Sequence, residues 1–125
     1  MKSQVQKFVG YLLAGDQDSA WEIVLEEIQQ GKNSLDIYEN LITTAMRVTG
    51  DMWEENIISV ADEHVATTTC DYVLTRYRFY KKIQGHASDI APKALLLCLE
   101  QEQHFIGLKM VALLFEEHGW NTRFL

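Results

Sequence analysis

The chain has one proline, two cysteines and no long apolar run, and each scarcity removes a class of protein. Cys70 and Cys98 lie 28 positions apart in apolar surroundings, so no C-x-x-C pair offers zinc ligands and no framework of bridges staples the fold. No hydrophobic stretch approaches the ~20 residues of a membrane-spanning helix, and the opening MKSQVQKF lacks the apolar core of a signal peptide. The sequence reads as a cytoplasmic protein without membrane contact. Positive charge is also sparse, with 11 Lys and Arg against 18 Asp and Glu and a formal charge of −7. Direct nucleic-acid binding needs clustered cations to neutralise phosphates. The one cluster, Arg76, Arg78, Lys81 and Lys82, falls near a helix C-terminus and reads as a solvated face.

What is present is amphipathic periodicity. Val5, Phe8, Val9, Leu12 and Leu13 predict a helix over 4–14. A second is expected from about Asp18 to Gln30 with Ala20, Ile23, Val24 and Ile28 inward, closed by Gly31. Ser34 is the expected cap of a third, carrying Ile37, Leu41, Ile42, Ala45 and Met46 and broken at Gly50-Asp51. Ser59, with Asp62 three residues on, opens a fourth and longest helix to about Ile83, with Ala61, Val65, Tyr72, Val73, Tyr77 and Tyr80 on its buried side. Four such helices with short connections pack most economically as an antiparallel bundle over residues 1–83.

The character changes at Gly85. GHASDIAP holds the single proline and no periodicity, so 84–92 reads as a linker. The run Ala94 to Leu99 is apolar on both alternating faces, the mark of a parallel strand covered by helices. A helix ending near His118 and an extended piece from Asn121 to Leu125 complete a strand–helix–strand unit over 93–125. The expected class is therefore mainly α, a four-helix bundle followed by an incomplete α/β (βαβ) Rossmann-like segment. A lone unit of this kind leaves its sheet incompletely covered, so the chain is expected to belong to a longer protein or to pair with another chain.

Two short motifs carry chemistry. Glu102-x-His104-x-x-Gly107 follows the apolar strand, where open α/β sheets bind ligands. A histidine there offers a ring nitrogen to a metal, a carboxylate two residues earlier fixes its tautomer, and a glycine admits a flat ligand close to the backbone. Upstream, Trp53 precedes Glu63-His64 by nine intervening residues. An indole lies well over a flat macrocycle, and a carboxylate beside an imidazole on a capped helix start contacts a polar ligand group. Trp21 and Trp120 read as core or interface packing, and His86 and His118 as linker and helix-end residues. A non-haem metal site from Glu63, His64 and His104 fits by ligand type, but no spacing favours it.

ALLLCLEQEQHFIG resembles the start of the cobalamin-binding Rossmann-like domain. The resemblance implies that His104 is the lower axial cobalt ligand, that Glu102 supports it and that Gly107 allows close approach. The family's later serine, threonine and glycine-rich segments have no counterpart in this sequence. The helical part is similar to the cap of CarH-type cobalamin-dependent photoreceptor regulators, in which a tryptophan, a valine three residues before a glutamate, and a glutamate–histidine pair enclose the adenosyl group. Trp53, Val60, Glu63 and His64 match those four.

The resemblance implies a cobalamin-binding sensory or transcription-regulating module, taking adenosylcobalamin with a light response, or methylcobalamin. A homo-oligomer or a regulatory protein partner would carry its output. A corrinoid methyl carrier of a methyltransferase system, the enzyme-component reading, accounts equally for Glu102, His104 and Gly107 but leaves Glu63-His64 without a task. The third reading is a cofactor-free helical interaction domain.

Overall fold

The computed structural model describes residues 2–83, 88–97 and 105–124. Its elements run α1 (Gln4–Ala14), α2 (Gln17–Gln29), α3 (Ser34–Ile37), a π-helical turn (Tyr38–Thr43), α4 (Thr44–Glu54), α5 (Val60–Tyr80), β1 (Lys93–Leu96), α6 (Phe105–Glu117) and β2 (Asn121–Phe124). Among the described residues the protein is mainly helical with a small two-stranded parallel sheet, as periodicity predicts. It divides into two compact units, residues 1–73 and 74–125, the boundary falling within α5.

In the first unit α1, α2 and α3 each start where a side chain satisfies orphan backbone donors, whereas α4 continues from the π-helical turn with no side-chain cap. Ser3 and Gln6 form a reciprocal capping box at α1. Asp16 caps α2, its carboxylate accepting from the Ser19 amide at 3.1 Å. Asn33 caps α3 by accepting from the Asp36 amide at 2.9 Å, so the cap lies one residue before the expected Ser34, which is buried in the first turn. α1 packs against α2, the π-helical turn and α4. Phe8, Val9, Leu12, Ala20, Trp21, Ile23, Val24, Ile37, Tyr38, Leu41, Ile42 and Ala45 form the core there. Trp21 is thus a packing residue, as expected.

Two expectations about these helices are corrected. The third helical stretch does not break at Gly50-Asp51; α3, the π-helical turn and α4 follow one another without interruption to Glu54. One glycine costs a helix only about 1 kcal/mol, and buried Thr49 returns its hydroxyl to the Ala45 carbonyl at 2.8 Å, so tertiary burial carries the helix through. Trp53 therefore stands on the last turn of a helix. The buried side of α5 holds Val73 and Tyr77 as expected but is otherwise different: Ala66, Thr69, Cys70 and Leu74 join them, whereas Ala61, Val65, Tyr72 and Tyr80 are exposed. Small residues allow close approach, and Thr69 is buried without penalty because its hydroxyl donates to the Val65 carbonyl at 2.7 Å.

In the second unit β1 and β2 pair in parallel, Lys93 opposite Asn121 and Leu96 opposite Phe124, with α6 packed on both strands. Ile106, Met110, Ala112 and Leu113 supply the buried face of α6. Leu96 is buried, but Leu95 is 58% exposed, so the doubly apolar run is covered on one face only among the described residues. The basic cluster is not wholly solvated either. Arg78 on α5 reaches the buried Glu116 of α6 at 2.7 Å, and nearby Lys109 donates to Thr75 at 2.6 Å. Trp120 meets Phe115 edge to face, ring centroids 4.9 Å apart.

Candidate functional site

Four of the seven candidate residues lie around the connection between α4 and α5, within the first unit. The end of α4 is fixed by its backbone. Asn56 adopts φ 59°, its amide donates to the Trp53 carbonyl at 3.0 Å, and the Ile57 amide donates to Met52 at 2.8 Å. This pair of bonds is a Schellman closure with asparagine in the left-handed position. The start of α5 is fixed by side chains. The Ser59 amide donates to Asp62 Oδ2 at 3.0 Å, and the Ser59 hydroxyl accepts from the Asp62 amide at 3.1 Å. The expected capping box is therefore present, and the Ser59 amide and hydroxyl hold the Asp62 carboxyl below the usual carboxylate range.

Between these fixed points the chain presents apolar surface to solvent. Trp53 is 47% exposed, Ile57 62% and Val60 53%. Contiguous exposed apolar patches mark surfaces that receive a ligand or partner, and these three side chains fall within one stretch of the chain, residues 53–60. Glu63 closes the first turn of α5 and His64 follows it. The Glu63 side chain is 24% exposed, and its Oε2 lies 3.6 Å from His64 Nδ1. Its other oxygen, Oε1, is 3.1 Å from the Thr67 hydroxyl. An indole face, two aliphatic side chains and a carboxylate–imidazole pair suit a large ligand with a flat apolar surface and hydroxyl or amide groups.

Gly107 lies in the first turn of α6, and a Cβ built there meets no atom within 4 Å; the space beside it is open. Glu102 and His104 lie outside the described residues, as do His86 and Cys98. Among the described residues no group of three His, Cys, Asp or Glu side chains is placed to hold a metal ion, and no helix is long and apolar enough to cross a membrane. His118 ends α6 with Nδ1 2.8 Å from the Leu114 carbonyl, a helix-end role as expected. Sequence reasoning missed Asn56, Ile57 and Thr67. Asparagine's tolerance of positive φ and the i, i+4 spacing of Glu63 and Thr67 were the available signals.

Fold and site together describe a helical module with a half-exposed tryptophan at the end of one helix and an acid–imidazole pair near the start of the next. Residues 4–77 match the family model of the B12 binding domain, and the chain belongs to that family. The match begins at the first residue of α1 and ends within α5, so it includes Trp53, Val60, Glu63 and His64. Membership supports a cobalamin-type cofactor, and the donor set of this corner fits one. A search of curated proteins finds no match.

Proposed function

We propose that this protein is a cobalamin-binding sensory or regulatory module of the CarH type, its ligand adenosylcobalamin. In this reading residues 1–83 form a four-helix cap, 84–92 a linker, and 93–125 the start of a Rossmann-like cobalamin-binding domain. The observation that supports it is the exposure of Trp53 and Val60 beside the tethered Glu63–His64 pair. A core tryptophan would be buried, and a purely surface Glu–His pair would not need a third side chain holding its carboxylate.

Trp53 and Val60 would cover the upper side of the ligand and exclude water from it. Glu63 accepts hydrogen bonds from ligand hydroxyl or amino groups, and the imidazole of His64 donates or accepts according to its tautomer. His104 would hold cobalt from below, with Glu102 fixing its tautomer and Gly107 leaving room for the corrin edge. When bound, adenosylcobalamin supplies a cobalt–carbon bond that visible light breaks. Loss of the upper group would remove the partner of Trp53 and Val60, biasing the helical cap between two packings. The output would be homo-oligomerisation or contact with a regulatory protein, in the cytoplasm.

The test is an absorption spectrum after incubation with adenosylcobalamin in the dark and desalting, repeated after green light and with His104→Ala. A retained corrin spectrum that changes irreversibly on illumination is expected, with altered dark binding in the variant. Retention of methylcobalamin in preference to adenosylcobalamin would replace this reading with the methyl carrier. Retention of neither would leave a cofactor-free interaction domain.

A further inference from the structure

Thr67 lies one helical turn beyond Glu63 on α5, partly buried, with its hydroxyl oxygen 3.0 Å from the Glu63 carbonyl and 3.1 Å from Glu63 Oε1. A threonine bond to the carbonyl four residues earlier is common and needs no functional account. The second contact is different in kind. It brings the single hydroxyl proton against an ionisable carboxylate, and a charge-assisted bond is about twice as strong as a neutral one. Shared between the two oxygens as a three-centre bond, that proton ties the Glu63 side chain back along its own helix. Free glutamate side chains sample several rotamers, at a cost of up to about 2 kcal/mol to fix one. Here Oε1 is held by Thr67, and Oε2 is left facing His64 Nδ1 at 3.6 Å.

We infer that Thr67 is a positioning residue of the ligand site: it fixes the Glu63 carboxylate in one rotamer, with Oε2 and the His64 ring as a paired recognition unit for the polar group above the corrin plane. The inference deepens the cobalamin reading and rests on it for the identity of the ligand. Its physical content is specificity. A carboxylate pre-set in one orientation favours a ligand carrying hydroxyl donors, such as the ribose of an adenosyl group, and gives a methyl group nothing.

The experiment compares the full chain with Thr67→Val, which keeps the shape and removes the hydroxyl, and Thr67→Ser, which keeps the hydroxyl. Two quantities are measured: the rotamer distribution of Glu63 in ligand-free protein from side-chain NMR couplings, and the ratio of adenosylcobalamin to methylcobalamin affinities in the dark. Wild type and Thr67→Ser should show one dominant Glu63 rotamer and the same ratio. Thr67→Val should show averaged rotamers and a ratio lowered roughly tenfold, the worth of about one hydrogen bond, as in Glu63→Gln, while melting near the wild-type temperature. An unchanged rotamer distribution in Thr67→Val, or averaging without a change in the ratio, overturns the inference. Failure of wild type to retain either cobalamin would sink the cobalamin reading instead. The rotamer measurement would then still decide whether Thr67 holds Glu63.

Discussion

Asn56 holds a left-handed backbone conformation at φ 59° directly after the helix that carries Trp53. A Cβ-bearing residue without asparagine's local hydrogen bonding pays about 1 kcal/mol there. Asn56→Ala should lower thermal stability by about that amount, whereas Asn56→Gly should not; thermal denaturation by circular dichroism checks both. In the second unit Arg78 pairs with Glu116, whose side chain is 4% exposed. Removing the cation leaves a buried carboxylate alone, so Arg78→Ala should cost about 2–3 kcal/mol, discounted because Arg78 itself is partly exposed. Adding Glu116→Gln should recover part of the loss in urea denaturation, since a neutral amide is cheaper to bury. At this scale the sequence was only partly legible. Trp53, Val60, Glu63 and His64 could be picked out by type and spacing, but Arg78 looked like one of four equivalent cations. Only its distance to Glu116, 38 positions away in the chain, distinguishes it.

The start of α5 positions both Glu63 and His64, and it is held by Ser59 and Asp62. Because the folded Asp62 carboxyl titrates below the ordinary aspartate value, its contribution is present above an unfolded pKa of about 4. It is lost as pH falls through the lower folded value. Amide exchange at residues 62–64 should therefore accelerate as pH is lowered below about 4 relative to the chemical exchange rate, and Asp62→Asn should abolish that dependence. Whole helices were more legible than their ends and faces. α1 and α2 fall within a residue or so of expectation because regular apolar spacing sets them. The expected end of the third stretch and the buried side of α5 were misjudged for a shared reason. The bias of Gly50 against helix is only about 1 kcal/mol, and the choice of buried side on α5 is likewise a small local preference, so tertiary packing overrides both.

For the molecule as a whole, a ligand bound only by the folded state raises stability by mass action. Under the proposed function, free adenosylcobalamin at a hundred times Kd gives about 2.7 kcal/mol, so in the dark the melting temperature should rise with ligand concentration, and in the light the rise should shrink. Scanning calorimetry at graded concentrations tests this. The sequence by itself determined the helical class, the parallel strand–helix–strand unit and the composition of the α4–α5 corner. Apolar period and capping chemistry are local, and each turn of helix carries its own record of them. Only the tertiary structure decided which side of α5 is buried, that Trp53 stands half-exposed at a helix end, and that Arg78 has a buried partner. Those depend on which distant residue fills the space beside each side chain, and no local pattern encodes that neighbour.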